Sequence, residues 1–277
     1  MRLVQLNVHP LKSGAIRPVR AASVLPGGLE DDRSWMVVDP DGTMVSAREV
    51  IEMFTVVADT PATDATLDRA LRLRAPGHPD LVLDHPDAPR RAVRLFSLDL
   101  QAVPAGPRAD AWLREVLGHD VRLVWCDDPT RRSLQPGFSE PGDHAAFPDS
   151  FPVTLASAAS LARLNDWIAE TAVERGEDIP EPLPMTRFRP NLVVDGEVPF
   201  AEDDWAEVRI GEVALRRGKP VDRCVMTTID PVTLDTANEP IRTLARHRRV
   251  GGTTLFAVHL VPVTSGRIKV GDEVTVS

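Results

Sequence analysis

Cys224 stands in KPVDRCVMTTIDP, residues 219–231, with Arg223 beside it and Lys219 just upstream. Cations close to a thiol favour its thiolate, the form that attacks electrophiles and ligates soft metals. A small core residue would fit the same stretch, and the local sequence leaves both readings open. Thr227, Thr228 and Asp230 follow, residue types able to position a bound group or substrate, although strand and turn residues ahead of Pro231 need no such role. Basic and hydroxyl residues recur beside Pro or a turn at other strand edges. They are Lys12 and Ser13 in HPLKSG, Arg33 in DDRSW, Arg189 and Asn191 in FRPN, and Arg223 in VDRC. Arginine suits bidentate contact with phosphate, and Lys, Ser and Asn complete an oxyanion cradle. Ser157 precedes an apolar periodic run and reads as a helix N-cap, whose neighbouring N–H groups point at an anion. Each residue alone is more often a solvated surface group. Their meaning depends on convergence with Cys224.

Competing chemistries lack their motifs. The chain has no glycine-rich dinucleotide loop, no Walker A sequence, no His-Glu-x-x-His and no paired Cys-x-x-Cys. No nucleophile elbow supports a Ser-His-Asp triad. The histidines are scattered without ligand spacing, and His259 in FAVHLV reads as a satisfied core residue. Cys126 ends the apolar run VRLVWC and reads as a core or strand-end residue. A net charge of −9 argues against nucleic acid or an acidic membrane as partner. No apolar run reaches the roughly 18 residues of a membrane span, and the start carries no signal-peptide pattern. Two cysteines in a chain of 277 residues suit a reducing compartment, so a cytoplasmic location is expected.

The elements that must position these residues are mostly strands. RLVQLNVHP, FTVVAD, ALRLRAP and DLVLDH are short apolar runs bounded by Pro, Asp or Gly, and WMVVDPDGTMVSAR reads as a hairpin about Gly42. RADAWLREVLG predicts a helix stopped by Gly118. Residues 127–152 are rich in Pro, Gly and acids, a long connection of the kind that forms a linker or a lid. Beyond it, VTLASAASLARLNDWIAE predicts a strand and a helix, AEVRIGEVALRRG a hairpin about Gly211-Glu212, and TLFAVHLVPVTSGRIKVGDEVTV further strands. The expected fold is mostly β (α+β) in two parts, residues 1–126 and 127–277.

Five segments, HPLKSGAI, DRSWMVVDPDGTMVSARE, FRPNLVVDG, DDWAEVRIGEVALRRGKPVDRCVMTTIDP and GRIKVGDEVTV, give the chain a resemblance over nearly its whole length. It resembles MOSC-domain proteins with an N-terminal MOSC β-barrel domain, the group of the mitochondrial amidoxime-reducing component and its bacterial relatives. The resemblance implies a small β-barrel domain followed by a MOSC β-barrel domain, and a molybdenum cofactor (Mo-molybdopterin). Carried over by position, Cys224 is the metal ligand. Lys12, Ser13 and Arg33 hold the anionic pterin from one side, and Ser157, Arg189, Asn191 and Arg223 from the other. Cys224 and, more weakly, Asp230 are the implied catalytic residues. The chain departs from the family pattern at Val221, where a second cysteine is common, and at Asp222, where a serine is common. The implied reaction is reduction of N-hydroxylated small molecules, amidoximes and hydroxylamines, with electrons from a separate donor protein of ferredoxin or flavoprotein type. No cysteines remain for an iron–sulfur cluster within the chain. Two rival functions are a persulfide-carrying sulfur-transfer protein of the same family and a non-catalytic module that binds an anionic ligand.

Overall fold

The structure, a computed structural model, describes residues 1–277. The short apolar runs fold as strands, so the chain is mostly β with three α-helices. The first half comprises β1 (Leu3–Val8), β2 (Arg17–Pro18), β3 (Ala21–Leu25), β4 (Gly28–Leu29), β5 (Trp35–Val38), β6 (Val57–Asp59), β7 (Leu71–Arg74), β8 (Leu81–Leu83), β9 (Arg91–Leu95), β10 (Leu98–Pro104), α1 (Pro107–Leu117) and β11 (Arg122–Trp125). The second half comprises β12 (Val153–Ser157), α2 (Ala158–Arg175), β13 (Leu192–Val194), β14 (Glu207–Ile210), β15 (Val213–Asp222), α3 (Ile241–His247), β16 (Arg249–Val250), β17 (Thr253–Pro262), β18 (Gly266–Lys269) and β19 (Val274–Val276).

Local chemistry sets the ends. Pro107 opens α1, where its missing N–H is no loss, and Gly118 closes it at φ 68°. After β5, Asp39 Oδ1 accepts hydrogen bonds from Asp41 N (3.0 Å) and Thr43 N (2.8 Å), while Gly42 takes φ 87°. The return arm is shorter than its sequence suggests. It pairs through a Val38–Met44 bridge, and then the Ser46 N–H and hydroxyl both donate to Glu49 and turn the chain away.

The largest sheet runs β19-β14-β15-β17-β12-β13-β1-β2, with β16 on β17. Its one parallel strand pair, β12–β13, is joined by α2, the crossover such a pair requires. The other sheets are β5-β11-β10-β9, β18-β3-β4 and β6-β7-β8. Their ladders are open: each holds three or four strands, and β4, β6 and β8 are only two or three residues long. Two large cores fill the spaces between sheets. One gathers Trp35, Met53, Leu71, Trp112 and Leu113, and also takes Ile229 from the second half. The other joins Leu3, Leu6, Val8 and Val24 to Leu155, Leu192, Leu215, Val258 and Ile268. The cores therefore do not divide the chain at one point: β1 pairs with β13, and β3 with β18.

Residues 127–152 form a packed wall. Leu134, Ala145 and Phe151 bury themselves against Val261. Inside the loop, the buried Arg132 guanidinium donates to four carbonyl oxygens: Ala146 (2.7 Å), Pro148 (2.6 Å), Asp149 and Ser150 (3.3 Å each). Charge-assisted bonds to a buried guanidinium are among the stronger local interactions a loop can make. Arg132→Met keeps most of the volume and removes all four. It is expected to lower the urea unfolding free energy by about 2–3 kcal/mol and to open residues 127–152 to limited proteolysis. A variant as stable and as resistant as wild type would show that the loop is held by its apolar side chains alone.

Candidate functional site

A cleft of about 230 Å³ lies between segments from both halves of the chain, with Cys224 exposed on its wall. Lys12, Ser13, Arg33, Arg189 and Arg223 line it together with that thiol. Three of them hold left-handed backbone: Ser13 at φ 64°, Arg33 at φ 49° and Arg189 at φ 49°. Non-glycine residues rarely adopt that region, and surrounding bonds must hold them there. Arg33 N donates to His9 O (2.7 Å) and Lys12 N to Trp35 O (2.8 Å), so the 9–14 turn and the 31–35 turn brace each other. Arg189 ends the short 3₁₀ turn Met185–Phe188, and its Nη2 donates to Gly14 O at 2.7 Å, tying the two halves. Arg223 follows β15. Its Nε donates to Phe256 O (2.8 Å) and its Nη1 to Phe188 O (3.0 Å), beside the rings of both phenylalanines.

Three sequence candidates stand behind or away from the wall. Asn191 is buried. Its Oδ1 accepts from Arg33 Nη1 (2.9 Å) and Thr154 N (3.1 Å), and its Nδ2 donates to Asn7 O (3.1 Å). It therefore positions Arg33 and does not face the cleft. Ser157 caps α2 as expected, its hydroxyl accepting from Ala159 N at 3.2 Å, but the anion at this helix start is internal. Glu202 accepts from Ser157 N (3.3 Å) and from the Ser160 hydroxyl (2.7 Å), which occupies the donors that an outside ligand would need. Asp230 is a turn cap, accepting from Val232 N (2.8 Å) and Thr233 N (3.1 Å). Its other oxygen takes Arg187 Nη2 at 3.1 Å, so it acts on the cleft only through Arg187, which does line it. Thr227 lines the cleft and Thr228 does not. His259, expected as satisfied core, is buried but lines the cleft, stacked on Phe151, and burial with the Arg223 charge pushes it down to about 3.

The structure adds Asp149 and Arg48. Asp149 pairs with Lys12 and, at 3.0 Å, with Arg48 Nη2, which also donates to Cys224 Sγ at 3.4 Å. Burial would raise Asp149, but Lys12 and Arg48 hold it well below the usual carboxylate range. Neither residue carries a sequence signal. Asp149 is one acid among several in a Pro- and Gly-rich loop, and its partners lie far away in the chain. Behind the wall, burial would raise Asp32, but Arg33 and His9 pull it down to about 2. Burial and Arg33 push His9 down to about 3, so its ring is neutral and hydrogen-bonded to Asp32. On the cleft wall six cations, Lys12, Arg33, Arg187, Arg189, Lys219 and Arg223, face two carboxylates, Asp149 and Asp222. Burial and then the Arg33 charge push Arg189 down to about 9, and burial pushes Arg223 down to about 10.

Lys12 is only 3% exposed, and burial pushes its ammonium from 10.5 to about 8 against the pull of Asp149. Below pH 8 the ammonium is charged in both folded and unfolded chains, and its desolvation opposes folding in full. Above pH 8 the folded chain releases a proton that the unfolded chain keeps up to about 10.5, so stability rises with pH. Cys126, pushed up to about 11 by burial, acts in the opposite sense above pH 9. Between pH 7 and 9 the ligand-free protein is expected to gain about 1 kcal/mol in urea unfolding, and Lys12→Met to abolish that gain. A slope that survives the substitution assigns it to another group.

The sequence profile of the MOSC domain matches residues 142–275, and that of the MOSC N-terminal beta barrel domain matches residues 1–120. Similar chains are mitochondrial amidoxime-reducing component 1 of Danio rerio, 34% identical over 89% of this chain and 74% of that one, and its counterpart in Homo sapiens, 31% identical over 98% and 82%. Mitochondrial amidoxime reducing component 2 of Bos taurus is 32% identical over 98% of this chain and 81% of its own. Matched over both its parts and nearly its full length, the chain belongs to the MOSC-domain family with the N-terminal beta barrel domain that includes the mitochondrial amidoxime-reducing components.

Proposed function

We propose that this protein binds a molybdenum–pterin cofactor (Mo-molybdopterin) through Cys224 and reduces N-hydroxylated small molecules with electrons from a separate donor protein. The observation that carries the reading is the excess of cations around one exposed thiol. Arg187 Nη1, Arg189 Nη1 and Arg223 Nη2 find no acceptor within the protein. Buried donors without acceptors are costly unless a ligand answers them. A pterin carrying a phosphate is such a ligand: multiply anionic and rich in acceptors. No group of three or more His, Cys, Asp or Glu side chains comes together, so a metal at Cys224 would take its remaining ligands from outside the protein. That fits a dithiolene-held soft metal better than a protein-caged hard one.

Lys12, Ser13, Arg33, Arg189 and Arg223 would hold the anionic cofactor, and the Cys224 thiolate would ligate its metal. When bound, the cofactor supplies a two-electron couple able to take up an oxygen atom. The chain's own residues do the rest. Arg48 keeps the sulfur oriented by donating to it, and Asp149 keeps Arg48 and Lys12 in place. Ionised and with about half its side chain open (51%), Asp149 also offers an acceptor to a substrate N–H. In the overall reaction the N–O bond of an amidoxime or hydroxylamine breaks, two electrons and two protons are consumed, and an amidine or amine leaves with water. The donor protein delivers the electrons and solvent the protons.

The test is Cys224→Ser against wild type, both produced in a host that makes the cofactor. Wild type is expected to carry stoichiometric molybdenum and to reduce benzamidoxime with a chemical electron donor. The variant should keep its fold, because Cys224 is exposed, and lose both metal and turnover. Persulfide sulfur on Cys224 without molybdenum would instead make the protein a sulfur carrier. A variant that keeps ligand binding and function would leave an anion-binding module.

A further inference from the structure

The hairpin between β9 and β10 closes on two residues, Phe96 and Ser97, with Leu95 paired to Leu98. Of the two loop residues, Phe96 alone has positive φ, at 54°. The first position of such a loop is ordinarily glycine's, because a Cβ crowds the backbone there. A bulky aromatic at that position works against the local backbone preference. The core does not use the ring either. Phe96 is 43% exposed and belongs to none of the buried apolar clusters.

What the ring touches is the candidate site. Lys12 Nζ lies 5.4 Å from its centroid and the Arg48 guanidinium carbon 5.2 Å. Arg48 in turn reaches Cys224 Sγ at 3.4 Å, so a single side chain separates the ring from the thiol. Each of these cations is already fixed by Asp149, which leaves the ring on a stationary base. An exposed aromatic anchored this way is a preset flat surface that loses little side-chain freedom when a ligand stacks on it.

We infer that Phe96 is a specificity-determining residue, an aromatic wall against which planar, π-conjugated N-hydroxylated substrates stack as they approach Cys224. The functional group of that ligand rests on the reductase reading above; the wall itself rests on the geometry of Phe96. It discriminates by the flatness of the group attached to the N-hydroxylated carbon, favouring aryl over alkyl.

Phe96→Gly separates wall from fold, since glycine suits the loop better than phenylalanine. Equilibrium binding is measured by calorimetry on the oxidised, molybdenum-loaded protein, with benzamidoxime and acetamidoxime as probes and no turnover. Phe96→Gly is expected to weaken benzamidoxime about tenfold and acetamidoxime by less than about twofold, with no fall in the urea unfolding midpoint. Phe96→Trp is expected to keep the wild-type preference. Equal benzamidoxime affinity in Phe96→Gly and wild type, a parallel loss of both probes, or a wild type that binds no benzamidoxime would each overturn the wall. A lower unfolding midpoint would show that the ring serves the fold. A wild type that binds benzamidoxime with this dependence but never reduces it would sink the reductase reading and leave the wall standing.

Discussion

The cleft exists because Asp32 and Asp149 hold like-charged side chains together. Six cations on one wall repel, and burial makes Lys12, Arg189 and Arg223 harder to keep charged. Asp149 takes Lys12 and Arg48; Asp32 takes Arg33, with neutral His9 as its second partner. Neutral carbonyls do much of the rest, those of Gly14 under Arg189, Phe188 and Phe256 under Arg223, and Phe147 under Lys12. These acceptors come from both halves of the chain. A positive cleft can therefore form only after β1 has paired with β13 and the 127–152 wall has closed on Arg132. The net charge of −9 says nothing of this, because it sums the whole chain while the cations gather at one cleft.

Backbone strain follows the same map. Of eight non-glycine residues with positive φ, Ser13, Arg33 and Arg189 line the cleft and Phe96 stands at its edge. Each arginine is fixed on both sides of its Cα by hydrogen bonds from its own backbone and side chain. Left-handed backbone turns successive side chains toward one point, which regular strand alternation would not do. Glycine at Arg33 or Arg189 would relax the chain and remove the charge, so backbone preference and the charge of the cleft ask for opposite residues there. Such local disagreement is the usual mark of a working site.

Much of this was legible in the chain. Strand runs, the Gly211-Glu212 hairpin, the Gly118 end of α1, and the Ser157 cap all fold as local chemistry dictates. Lys12, Ser13, Arg33, Arg189, Arg223 and Cys224 were found by residue type, yet only the fold brings them to one cleft. Direction was the weak point. Ser157 had the right local geometry but points its N–H at Glu202, a buried carboxylate that no spacing announces. Asp230 was read toward a ligand and satisfies its own turn. Asp149 and Arg48 were missed because their importance is pairwise, set by partners some hundred residues apart. Periodicity likewise cannot say that β1 joins the strands of the second half, since alternation fixes which face is buried and leaves the neighbour open.

The two cysteines sit in opposite surroundings. Cys126 is partly buried beside Met36, Val38 and Phe147, with Asp127 and Asp128 next in the chain, and burial pushes its thiol up to about 11. Burial and the two carboxylates disfavour the thiolate and outweigh the Asp128 backbone hydrogen bond and the Arg132 charge. Cys224 is exposed to the cleft, accepts a hydrogen bond from Arg48, and has Arg223 as its chain neighbour. Exchanging the two surroundings would leave the composition untouched and take the exposed thiol out of the cleft. The property that matters is therefore the charge and access around one sulfur atom, and the interleaved cores, the strained turns and the carboxylate anchors are what hold that environment in place.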